Sequence, residues 1–172
     1  GLVYFNSGWI FKENTPAFVK LFAVDPHGKG DVTKSHVKWE LDKDVPQITT
    51  PVIADGKIYM IHERGILTCL DALTGKVIWK DKLKGQFNAS PIYAGGNIYI
   101  PEVRGTVYVI KPGNSFLPVA ENKLEGTIKA TPAGALFADL YNAARLDVQS
   151  QWVGKTLYFK FAAYNMAGGQ QN

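Results

Sequence analysis

Two stretches of this chain repeat one another at a fixed offset of 40 residues, and that periodicity narrows the available folds more than any other feature of the sequence. In the first, Thr50-Pro51-Val52-Ile53-Ala54-Asp55-Gly56-Lys57-Ile58-Tyr59 leads to Arg64-Gly65 and then to Cys69-Leu70-Asp71. In the second, Ser90-Pro91-Ile92-Tyr93-Ala94-Gly95-Gly96-Asn97-Ile98-Tyr99 leads to Arg104-Gly105 and then to Val109-Ile110-Lys111. Trp39 and Trp79 stand at the same offset, and Thr131-Pro132 opens a further unit at nearly the same spacing.

Within each unit, short apolar runs are separated by Asp-Gly, Gly-Gly and Arg-Gly pairs, which suit the tight two-residue loops of β-hairpins. A period of about 40 residues carrying four short strands is the signature of one β-propeller blade. The spacing predicts strands over 48–54, 57–62, 67–71 and 77–82 in one blade, and over 89–94, 97–101, 106–110 and 117–121 in the next. Residues 1–40 read as the end of a preceding blade, with strands at 2–5, at 21–25 and around Trp39, and with insertions at 6–20 and 26–36. The predicted fold class is therefore all-β: a partial propeller of about three four-stranded blades over 1–133, followed by a short α/β tail. That tail, 134–172, is an unassigned unit in which 134–145 has helical spacing, 152–161 alternates like a strand, and 167–172 is small and polar.

The segment Cys69-Leu70-Asp71-Ala72-Leu73-Thr74-Gly75-Lys76-Val77-Ile78-Trp79-Lys80 resembles the tryptophan-docking motif of pyrroloquinoline-quinone-type (PQQ-like) β-propeller repeats. The stretch from Asp25 to Trp39 is similar to one found in bacterial proteins of that repeat family. The resemblance implies a structural set made of Trp39, Asp71, Thr74, Gly75 and Trp79. It implies that Trp79 packs between neighbouring blades, while Asp71, Thr74 and Gly75 shape the turn between the third and fourth strands. The next blade departs from the pattern, because Lys111-Pro112-Gly113-Asn114-Ser115 replaces that turn and 117–120 holds no tryptophan.

Composition bounds the function classes. With 46% hydrophobic and 12% aromatic residues the chain has material for a packed core. The formal charge of +4 comes from lysines scattered along the sequence, which reads as a solvated basic surface and not as a nucleic-acid site. Cys69 is the only cysteine, so an internal disulfide and cysteine-rich zinc sites are excluded, and the redox compartment stays open. No apolar run of about 18 residues is present to cross a membrane, and residues 1–10 do not have the pattern of a signal peptide.

No catalytic, cofactor-binding or metal-ligating residue is predicted. A calcium loop starting at Asp25 would place His27, Lys29 and His36 where oxygen ligands are required. Gly154-Lys155-Thr156 lacks the earlier glycine of a phosphate loop, because Gln149 stands there. Gly168-Gly169-Gln170 reads as a flexible end, and Asn88-Ala89-Ser90 as an acceptor sequon without a eukaryotic secretory context. His27, His36 and His62 have no nucleophile or carboxylate at motif spacing, and Cys69, among apolar neighbours, reads as a buried structural thiol.

Fewer than about four blades do not close a ring, so completion by further blades of a longer chain or by other copies is expected. The function read from this sequence is a non-catalytic binding or scaffolding module of a bacterial envelope or secreted protein. Its blade-end loops would present to a protein or glycan partner, in a periplasmic or extracellular location implied by the resemblance. The alternative is a piece of a PQQ-dependent quinoprotein dehydrogenase, and only there do PQQ and calcium enter as cofactors.

Overall fold

The computed structural model describes residues 1–9, 18–132, 150–153 and 156–159. It divides the chain into two compact units, Gly1–Gly134 and Ala135–Asn172.

Among its described residues the first unit contains three antiparallel sheets in chain order. The first joins β1 (Val3–Trp9), β2 (Phe18–Val24) and β3 (Val37–Leu41). The second has the order β4 (Val52–Ala54), β5 (Lys57–Ile61), β6 (Ile66–Asp71) and β7 (Val77–Lys82). The third repeats it as β8 (Ile92–Ala94), β9 (Asn97–Pro101), β10 (Thr106–Ile110) and β11 (Pro118–Lys123). Each of the last two is an up-and-down meander of four strands, the form of a propeller blade. Asp55 and Gly56 take φ of 49° and 70°, the left-handed pair that a two-residue hairpin between β4 and β5 needs.

The middle blade is buried on both faces. Ile58, Met60 and Leu70 pack with Leu21, Trp39 and Leu41 of the first sheet. Tyr59, Ile61, Leu67 and Cys69 pack with Ile98, Ile100 and Ile110 of the third. Adjacent strand residues point to opposite faces, so a strand with a neighbour on each side is apolar throughout, and Ile58-Tyr59-Met60-Ile61 is wholly buried.

Several expectations are corrected. The strand expected over 48–54 begins only at Val52, and the one over 89–94 only at Ile92. Their leading residues bond elsewhere: Thr49 Oγ1 donates to the Ile61 carbonyl at 2.6 Å, and the Thr50 N–H donates to Ser90 Oγ at 2.8 Å. The Ser90 N–H donates to Thr131 Oγ1 at 2.9 Å, and the prolines that follow have no N–H to offer a ladder. The insertion expected over 6–20 is shorter, because β1 and β2 keep pairing from Val3↔Val24 to Trp9↔Phe18. The final strand of the third blade runs to Lys123 and not to 121.

Ala120 opposes Val109 there, as Trp79 opposes Cys69 and Trp39 opposes Ala23, each beside a register shift in the strand it faces. Alanine thus holds the tryptophan position of the third blade. In the second unit the single strand expected over 152–161 is two strands, β12 (Ser150–Val153) and β13 (Thr156–Phe159), paired antiparallel. The helix expected over 134–145 lies outside the described residues. No helix among the described residues is long and apolar enough to cross a membrane.

Candidate functional site

The residues singled out by the sequence lie at the joints between sheets. Asp71 Oδ1 accepts hydrogen bonds from the Thr74 N–H at 2.8 Å and the Thr74 hydroxyl at 2.7 Å, and the Gly75 N–H donates to the Asp71 carbonyl at 2.9 Å. These bonds, the Thr74 hydroxyl first and its backbone second, hold the Asp71 carboxyl below the usual carboxylate range.

The tryptophan that meets this turn belongs to the preceding sheet. Trp39 Nε1 donates to the Ala72 carbonyl at 3.1 Å, and its ring lies where a Cβ on Gly75 would come within 2.6 Å. The Tyr4 hydroxyl donates to the same carbonyl at 3.0 Å. Trp79 does not meet the turn of its own motif. It reaches forward, donating from Nε1 to the Gly113 carbonyl at 3.1 Å, with Tyr59 and Phe116 at ring distances of 6.0 and 5.8 Å. The Gly113 N–H donates to the Tyr59 hydroxyl at 2.9 Å.

Tyr59 is fully buried, and burial pushes its phenol up to about 12. A phenol whose folded-state pKa exceeds the unfolded value of about 10 stabilises the fold in full below pH 10 and loses that contribution as pH rises toward 12. Stability measured by chemical unfolding is therefore expected to fall between pH 10 and 12, and Tyr59→Phe to flatten that fall. An unchanged fall in the variant would assign it to other groups.

Two carboxylates that the sequence reading passed over bind the blade ends together. Glu63 Oε1 accepts the N–H groups of Gln47 and Ile48 at 2.6 and 2.7 Å. In the next blade Glu102, only 4% exposed, accepts the Arg104 N–H at 2.9 Å and lies 3.4 Å from the Gln86 nitrogen. The only trace of this pairing in the sequence is that both the carboxylates and the glutamines recur at an offset of 39.

Near the first of these joints, a cleft of about 360 Å³ is lined by Lys20, Asp42, Asp44, Gln47 and His62 together with Val19 and Val45. The three histidines stand apart: His27 is bonded to Asp25 at 2.7 Å, His36 to Ser35 at 2.7 Å, and His62 Nδ1 accepts from the Arg64 N–H at 3.1 Å. Cys69 is buried, and desolvation raises its thiol pKa, the opposite of nucleophile activation. Among the described residues no three His, Cys, Asp or Glu side chains come together as metal ligands, and both half-buried tryptophans are engaged between sheets.

Three successive antiparallel blades with a 40-residue period define a partial β-propeller of PQQ-like repeats. The family described as outer membrane protein assembly factor BamB matches residues 20–170, and the chain belongs to it. Among solved structures, BamB from Moraxella catarrhalis is similar with a TM-score of 0.54 at 19% identity, covering 69% of this chain and 37% of that one. A europium-containing methanol dehydrogenase is similar with a TM-score of 0.54 at 19% identity, covering 73% of this chain and 23% of that one. The chain thus spans well under half the length of either. No curated protein matches it.

Proposed function

We propose that this chain is part of a non-catalytic propeller of the bacterial envelope, which binds a partner protein through its blade-end loops in the assembly of outer-membrane proteins. The family match over residues 20–170 carries this reading, because that family is described by an assembly factor. The ring is completed by further blades or by other copies, and the location is periplasmic. The tryptophans and their turns act as docking contacts between blades. The loops at the blade ends are left to meet a partner.

The test uses the natural full-length protein. Its deletion is expected to lower the amount of folded β-barrel protein in the outer membrane, and the purified protein supplied with PQQ and calcium is expected to reduce no dye when given an alcohol. Alcohol-dependent dye reduction would overturn the reading in favour of a quinoprotein dehydrogenase.

A further inference from the structure

The lysines and arginines that look scattered along the sequence are gathered by the fold at one end of two adjacent blades. Arg64 stands at the tip between β5 and β6, and Arg104 at the equivalent tip between β9 and β10, both exposed. Lys82 reaches back from the end of β7 to donate to the Arg64 carbonyl, and Lys123 does the same from the end of β11 to the Arg104 carbonyl at 2.6 Å.

The exposed Lys84 follows Lys82, and its backbone lies against the third blade. The Tyr108 hydroxyl of the third blade donates to its carbonyl at 3.0 Å, and the adjoining Gly85 lies against the Glu102 side chain. Among the described residues none of these five cations takes part in an ion pair.

The neighbouring carboxylates are less exposed than these cations, Glu102 being buried and Glu63 and Asp81 partly so. Glu63 and Glu102 cap backbone amides, and Asp81 accepts the Lys82 N–H at 2.7 Å. Glu125 is the exposed acid in the segment that follows β11. The result is a strip of exposed cations, a surface that attracts and orients an anionic partner.

Of the exposed large apolar side chains, Ile48, 58% exposed and anchored through its N–H to Glu63, is the one that stands among these tips. A membrane-docking surface adds several apolar or aromatic anchors to its cations. A line of cations with one aliphatic contact fits an extended polypeptide. We infer that the strip formed by Arg64, Lys82, Lys84, Arg104 and Lys123 is the docking surface for an acidic segment of a partner protein. This inference rests on the reading of the chain as a binding module and specifies which end of the blades binds and by what chemistry.

The test measures binding of the full chain to a fluorescent synthetic peptide alternating glutamate and leucine, beside its glutamine–leucine counterpart and beside vesicles containing phosphatidylglycerol. The acidic peptide is expected to bind, to weaken as salt is raised, and to lose about tenfold or more in affinity in the Arg64→Glu/Arg104→Glu double variant. Thermal stability should be preserved in that variant, because both arginines serve the fold through backbone atoms. Reversal of Lys76 and Lys111, at the opposite blade ends, should leave the affinity unchanged.

Absence of acidic-peptide binding, equal binding of the neutral peptide, equal loss from the two double variants, or preference for the vesicles would each overturn the strip. None of these outcomes touches the envelope-assembly reading, which falls on dye reduction instead.

Discussion

Trp79→Ala is expected to lower the free energy of unfolding by about 3 kcal/mol, the lower end of the range for removing a large aromatic, because the indole is half-buried. Two losses combine. The ring leaves a void between Tyr59 and Phe116, and the Gly113 carbonyl loses the indole N–H that now lies 3.1 Å away. Trp79→Phe separates them, since it keeps most of the packing and gives up the hydrogen bond, for a cost of about 1 kcal/mol. Urea unfolding of the two variants measures both. A change near zero for alanine would mean that the second and third blades are not joined through this side chain.

Gly65→Ala is expected to cost about 3 kcal/mol or more, for a backbone reason. Gly65 has φ of +86°, and a Cβ there would meet the Leu83 carbonyl oxygen at 2.3 Å. Neither side can yield easily, because the Leu83 N–H donates to the Gly65 carbonyl at 2.9 Å and ties the hairpin tip to the segment leaving the blade. Gly105 repeats the arrangement in the next blade, with a Cβ meeting the Leu124 oxygen at 2.4 Å. Gly56→Ala is the control. It shares the positive φ but has open space around the added methyl group, so its cost should stay near 1 kcal/mol. Equal effects from Gly65→Ala and Gly56→Ala in the same unfolding experiment would remove close backbone contact as the cause.

What could be read in the sequence was what the backbone itself demands. Glycines at hairpins and prolines before the first strand recur in the second and third blades, and Trp39 and Trp79 in the first and second, because the blades share their turns, so the period and the fold class were legible. Contacts made with the next blade were not. The acceptor for Trp79 lies 34 residues further on, outside the motif that names it, in a turn of different sequence.

Strand starts were misplaced for a related reason. Thr50 and Ser90 look like strand residues by composition, yet their amides bond to hydroxyls of the following blade, Ser90 and Thr131. The replacement of tryptophan by Ala120 was visible only as an absence until pairing with Val109 fixed its register. Basic residues at 64, 82, 84, 104 and 123 show no cluster along the chain. They meet because a tip and a strand end some 18 residues apart fold to one place, and the next blade repeats it.

The 40-residue period is a propeller blade, and the proposed function places these blades in a ring without a quinone enzyme's centre. The most direct measurement is a crystal structure of the natural full-length protein grown with PQQ and calcium present. The expected result is a set of four-stranded blades about one axis, with β4 and β8 as adjacent inner strands, Trp79 Nε1 on the Gly113 carbonyl, and no quinone on the axis. Sheets stacked without a common axis would contradict the fold, and an ordered quinone with its metal on the axis would contradict the function.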